Sequence, residues 1–100
     1  MSSAASRHWV GPVLRVGLLA DVIVRVLREH YPEAVVVDRG SYLRVLTPDR
    51  CELARVAVER ELRAPFVLPG DLEKIMPSFK GTLSLTSERA LWTAPAEQPA

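Results

Sequence analysis

Glu33–Thr47, EAVVVDRGSYLRVLT, reads as a β-hairpin. Val35, Val36 and Val37 form a β-branched run, and Asp38-Arg39-Gly40 supplies a turn. Beyond the turn, Leu43 and Val45 alternate with Tyr42 and Arg44, the period of two expected of a strand buried on one face. A three-residue loop ending in glycine suits a type I turn followed by a bulge, because Gly40 adopts φ > 0 at little steric cost. A lone hairpin is marginal in water, so Leu43 and Val45 must be covered by further elements.

The strongest cover lies upstream. From about Leu18 to His30, Leu19, Val22, Ile23, Val26 and Leu27 recur at i, i+3, i+4, i+7 and i+8, which predicts an amphipathic helix ended by Pro32. Burying each of those aliphatics is worth roughly 1.5–3 kcal/mol. Before it, Trp9–Val16 reads as extended, with Pro12 predicted at the start or edge of a strand because it lacks an N–H. Downstream, Pro48–Arg63 reads as a second helix. Asp49 and Glu52 are spaced as a capping box, Thr47 and Pro48 offer a competing start, and Pro65 stops it. Pro69–Met76 reads as a turn or a single helical turn. Ser78–Thr86 alternates again, with Phe79, Gly81, Leu83 and Leu85 on one face, and Arg89–Thr93 forms a last strand with Leu91 and Trp92. The expected fold is α+β in the order β-α-β-β-α-β-β, with two helices packed on a mainly antiparallel sheet. Residues 1–100 are expected to form a single domain, with flexible tails at about 1–8 and 94–100.

The composition narrows the partners. Forty-eight per cent hydrophobic and 25% charged residues are ordinary for a globular domain. Thirteen basic against 12 acidic residues give a net charge of +1, without the footprint of a nucleic-acid or membrane-surface binder. No apolar run reaches the roughly 20 residues of a membrane span, and MSSAASRHW is not built as a secretory signal. Cys51 is the only cysteine, which suits a reducing compartment, so a cytoplasmic location is expected.

The reactive inventory is thin. His30 ends a helix, where a histidine favours the macrodipole, and Cys51 fits an apolar face better than a nucleophile's setting. There is no C-x-x-C, H-E-x-x-H or G-x-S-x-G, and each of the five glycines stands apart from the others. Asp71 and Glu73 sit on a short polar turn where solvation explains them. No catalytic, cofactor-binding or metal-binding residue is therefore assigned. Two places stand out. Tyr42 and Arg44 put an aromatic and an arginine on the outer face of the hairpin, the residue types of interface anchors, although a solvated strand face with one tyrosine accounts for them equally well. Ile75–Gly81, IMPSFKG, brings a glycine onto the face of Phe79 and Leu83. That glycine marks a bulge or the close approach of another group.

Three stretches resemble, in order and spacing, the effector (coupling or regulatory) proteins of bacterial multicomponent di-iron monooxygenases, which include the methane, phenol, toluene and alkene systems. They are VGPVLRVGLLADVIVRVLRE at Val10–Glu29, VVVDRGSYLRV at Val35–Val45, and ERELRAPFVLPGDLEKIMPSFKG at Glu59–Gly81. The resemblance covers most of the chain except the tails and is nearest to the toluene and alkene branch. It implies a non-enzymatic protein without a cofactor of its own, monomeric when free. Its partner would be a di-iron hydroxylase, whose active site, turnover and coupling of electron use to hydrocarbon oxidation it modulates. The docking surface it implies is Tyr42 and Arg44 with Ser78, Phe79, Lys80 and Gly81. The chain departs from the family in a proline- and alanine-rich end after Trp92 and a short N-terminal tail, which speaks against a tail-dependent role. A small-ligand-binding regulatory α+β domain would account for the element order but not for the ordered motifs. A single-sheet RNA binder would need more positive charge and an aromatic-rich strand.

Overall fold

The structure, a computed structural model, describes residues 8–95. The predicted tails lie outside that range except for His8, Ala94 and Pro95. Among the described residues, seven strands and three helices follow in the order β1 (Trp9–Arg15), α1 (Leu18–His30), β2 (Val35–Asp38), β3 (Tyr42–Pro48), β4 (Arg50–Ala54), α2 (Arg55–Leu62), α3 (Gly70–Glu73), β5 (Ser78–Lys80), β6 (Thr82–Leu85) and β7 (Arg89–Thr93). The class is α+β, and every pairing is antiparallel. The strands divide into two sheets where one was expected, ordered β2-β3-β1-β5 and β4-β7-β6. Strands β1 and β2, joined through α1, lie on either side of β3.

The hairpin and α1 form where expected, but the three-residue loop falls one position later than Asp38-Arg39-Gly40, because Asp38 ends β2 and pairs with Leu43. Arg39, Gly40 and Ser41 connect β2 to β3, with Gly40 at φ 86° and its N–H donating to Asp38 Oδ1 at 2.8 Å. The expected stripe of α1 is buried at Val22, Ile23, Val26 and Leu27 and half-buried at Leu19. His30 Nδ1 donates to the Val26 carbonyl at 3.0 Å, a local helix-end bond. These residues join Leu14 and Val45 of the first sheet and Cys51, Leu53, Ala90 and Trp92 of the second in one core, which Val58, Phe66 and Leu72 complete.

Three expectations give way to tertiary structure. The first is the long second helix. Residues 50–54 are a strand paired with β7, and the helix begins only at Arg55. Asp49 is not a cap: it has φ 69° and turns the chain from one sheet to the other. Its N–H donates to the His8 carbonyl at 2.6 Å, and its own carbonyl accepts the Ala94 N–H at 3.0 Å. Asp49 therefore ties the start of β1 and the end of β7 to the crossing. Cys51 shares a helical face with Ala54 and Val58 but a strand face with Leu53, and pairing of Cys51 with Trp92 and of Leu53 with Ala90 decides for the strand.

The second is Pro12, which lies in mid-strand, buried, with neighbours on both sides. The register to β3 passes from Val10↔Thr47 to Val13↔Arg44 without a partner at Gly11 or Pro12, so the missing N–H falls where the ladder lapses. The third is the strand predicted over Ser78–Thr86. It splits at Gly81 (φ 106°), with β5 in the first sheet and β6 in the second. A Cβ at Gly81 would lie 2.7 Å from the Thr93 carbonyl oxygen and 2.8 Å from Val10 Cγ1. The close approach expected at this glycine is thus made by the chain's own Val10 and Thr93.

Cys51 is buried in β4, and desolvation pushes its thiol up to about 11, against a smaller lowering by Thr47. Below the ordinary thiol value of 9.0 the group is neutral in both folded and unfolded chains. As pH rises from there towards 11, only the unfolded chain releases the proton, so stability falls by about 2–3 kcal/mol and then levels off. Urea unfolding of wild type and Cys51→Ala near pH 8 and again in the alkaline window checks this. The wild type should lose more on alkalinisation, and equal losses would show that the buried thiol does not ionise on unfolding.

Candidate docking face

Cross-strand partners share a sheet face, so the register of the four-stranded sheet places each outward side chain. One row runs straight across all four strands: Val37, Arg44, Val13, Ser78. Beside it, Tyr42 pairs with Arg15, Leu46 with Val35, and Lys80 with Gly11. Tyr42, Arg44, Ser78 and Lys80, distant in sequence, therefore meet on one side of one sheet, and all are exposed. The opposite side, where Leu14, Leu43 and Val45 point, faces the core shared with α1 and the second sheet.

Two of the residues expected in the docking set stand apart. Phe79 pairs with Pro12, which puts it on the other face from Ser78 and Lys80, at the edge of the sheet and 42% exposed. Gly81 is the hinge between sheets, its space occupied by Val10. Conversely, Trp9, Val13 and Arg15 of β1 belong to the outward face and were not singled out from the sequence. Their alternation in WVGPVLR was the available signal, obscured by treating Pro12 as an edge residue.

The outward face is apolar and cationic together. Val35 is 44% and Tyr42 38% exposed, and Trp9, Val13, Val37 and Leu46 are half-buried. Arg15, Arg44 and Lys80 rise among them, and among the described residues none of the three has a carboxylate partner. The outer face of the second sheet differs. There Glu52 accepts from Arg50 at 2.8 Å and from Arg89 at 3.1 Å, and these bonds hold its carboxyl below the ordinary range. Arg55 is shared between Glu59 at 2.7 Å and Glu88 at 2.9 Å. Charge on that side is paired within the chain, whereas among the described residues the cations of the first sheet are not.

A cleft of about 220 Å³ lined by His8, Trp9, Val10, Lys80, Gly81 and Pro95 closes one end of the outward face. It is smaller than ordinary ligand sites, which begin near ~300 Å³. A larger hollow of about 450 Å³ runs along α1, lined by Asp21, Val24, Arg25, Arg28 and Glu29. It is the charged outside of one helix and not an apolar enclosure. Among the described residues no group of His, Cys, Asp or Glu could hold a metal ion, and no helix is long and apolar enough to cross a membrane.

Comparison with known proteins supplies an independent line. The MmoB/DmpM family pattern matches residues 8–93. The effector subunit of the alkene monooxygenase system of Xanthobacter autotrophicus (strain ATCC BAA-1158 / Py2) is 39% identical over 87 residues, which cover 85% of each chain. A chain in the structure of a phenol hydroxylase–regulatory protein complex superposes with a TM-score of 0.78, covering 88% of this chain and 100% of its own, at 14% identity. At that identity the likeness speaks for the fold. None of the three supports a ligand-binding domain unrelated to oxygenases.

Proposed function

This chain belongs to the MmoB/DmpM family, and from that premise we propose that it is a non-catalytic effector that docks on the di-iron hydroxylase of a multicomponent monooxygenase. The observation that carries the reading is the 39% identity, across most of both chains, to a protein named as an effector subunit. The di-iron centre belongs to the hydroxylase, and the effector contributes no ligand to it. It acts by binding one hydroxylase conformation more tightly than another, so the state it prefers is the state it populates. The outcome is altered turnover and closer coupling of electron use to hydroxylation or epoxidation of a hydrocarbon. Cys51, a single buried thiol, suits a reducing compartment, and the cytoplasm is the location this reading assigns.

The docking surface in this reading is the outward face of the four-stranded sheet. Tyr42 and Arg44 are its anchors, and Ser78 and Lys80 extend it across β1. Phe79 contributes from the sheet edge, and Gly81 keeps β5 in place. The test is reconstitution with the hydroxylase and its electron-transfer partners. Added protein should raise product formation and the product obtained per reductant consumed. Tyr42→Ala and Arg44→Ala should each weaken hydroxylase binding by about 1–2 kcal/mol, roughly 5- to 30-fold in Kd, with an unchanged melting temperature. If titration alters neither product nor reductant consumption, the reading fails. If both variants bind as wild type does, the docking face lies elsewhere.

A further inference from the structure

We infer that the hydroxylase surface met by this face is acidic, and that charge attraction sets the rate at which the two proteins associate; the inference rests on the docking reading above. The argument begins with segregation. Arg15, Arg44 and Lys80 project from one sheet face on which the outward strand positions carry no Asp or Glu. Arg7 and Glu97 lie outside the described residues, and removing these three from the other 12 basic and 11 acidic residues leaves 9 against 11. A chain of nearly balanced charge is therefore a positive face on a net-negative body.

The spacing makes the cations act together. Arg15 and Arg44 sit on the diagonal of the Arg15↔Tyr42 and Val13↔Arg44 pairs, a separation of about 7–8 Å between backbone positions. Lys80 lies across β1 from them. Such like charges repel in the free protein, and no carboxylate of the described residues relieves them. A partner of the same sign would make that worse, and a neutral apolar partner would desolvate three cations without compensation. An acidic patch with apolar ground between its carboxylates fits both halves of the face, meeting the cations while Tyr42, Val13 and Leu46 pack. At ionic strengths near 0.01 M the Debye length is about 30 Å and the three charges steer as a unit. At 0.15 M it is about 8 Å, so their combined field is largely screened beyond that distance. Association should accordingly slow steeply with salt.

Stopped-flow association with the hydroxylase component of the chain's own monooxygenase system, across a salt series, tests this. Wild type should lose at least tenfold in association rate between low and high salt. Arg15→Glu/Arg44→Glu/Lys80→Glu should associate at least tenfold more slowly at low salt and lose most of the salt dependence. Arg44→Glu alone should show a smaller effect of the same kind. Arg28→Glu/Arg60→Glu/Arg63→Glu changes net charge equally on the helical side and should associate nearly as wild type does. Circular dichroism and melting temperature establish that each variant is folded; if the triple variant is not, the single variant decides. Salt-independent association by a protein that still stimulates turnover, or equal slowing by both triple variants, overturns the inference and leaves the docking reading standing. Absence of both binding and stimulation by wild type overturns the two together.

Discussion

Gly11→Ala is expected to cost about 3–5 kcal/mol, a large share of the roughly 5–15 kcal/mol typical of a folded domain. Gly11 lies in β1, the strand between β3 and β5, at φ 149°, a conformation that L side chains rarely adopt. Held there, alanine stores about 1–3 kcal/mol of backbone strain. Its Cβ would also collide with the Val45 carbonyl oxygen. That atom belongs to β3 and cannot swing aside as a side chain can, so relief requires β1 and β3 to separate, at a cost comparable to overpacking a core, about 1–3 kcal/mol. Gly40→Ala is the internal control. Gly40 also has positive φ, at 86°, but nothing among the described residues lies within 4 Å of its added Cβ. It should lose only the conformational part, about 1 kcal/mol. Urea unfolding followed by circular dichroism reads both. A Gly11→Ala protein within 1 kcal/mol of wild type would mean that β1 and β3 are not packed as closely as described.

Trp92 carries the second large effect. It is fully buried in β7, between Cys51 of β4 and Leu83 of β6, and is the largest side chain of the core. Truncation to alanine should cost about 3–5 kcal/mol, since the two sheets cannot collapse fully onto the space left. Trp92→Phe should be much milder. The indole Nε1–H has no hydrogen-bond partner among the described residues, and a buried unpaired donor costs about 1–3 kcal/mol. Phenylalanine loses some packing but removes that donor, so a net change within about 1–2 kcal/mol is expected. Chemical unfolding by circular dichroism separates the two substitutions. Equal destabilisation by Ala and Phe would show that the indole N–H is satisfied in solution.

Where neighbours along the chain dictated the outcome, the sequence was readable. The five apolar residues of α1 recur with the helical period, and Leu43 and Val45 alternate with Tyr42 and Arg44, so helix, strand and the two faces of β3 followed from spacing. Burial of Val45 and exposure of Tyr42 and Arg44 agree with that. The misreadings fall where one string satisfies two periods. Pro48–Arg63 fits a helix, yet 50–54 became a strand because β7 lay ready to pair with them. Pro12 argued for an edge, yet β1 took partners on both sides because the ladder to β3 lapses where the N–H is missing.

The candidate site divides the same way. That Tyr42 and Arg44 face outward was legible, and so was the family resemblance of the motifs that contain them. That Ser78 and Lys80 share their face, that Phe79 does not, and that Arg15 and Val13 lie between them required the register β3-β1-β5. Adjacent residues impose periodicity through backbone geometry, and this is why α1 and the hairpin could be read from local sequence. Register between strands dozens of residues apart is chosen by burial summed over the whole core and by two turns of positive φ, Asp49 and Gly81, that hand the chain from one sheet to the other. Those choices belong to the assembled structure, and they are what gathered separate cations and apolar side chains into one face.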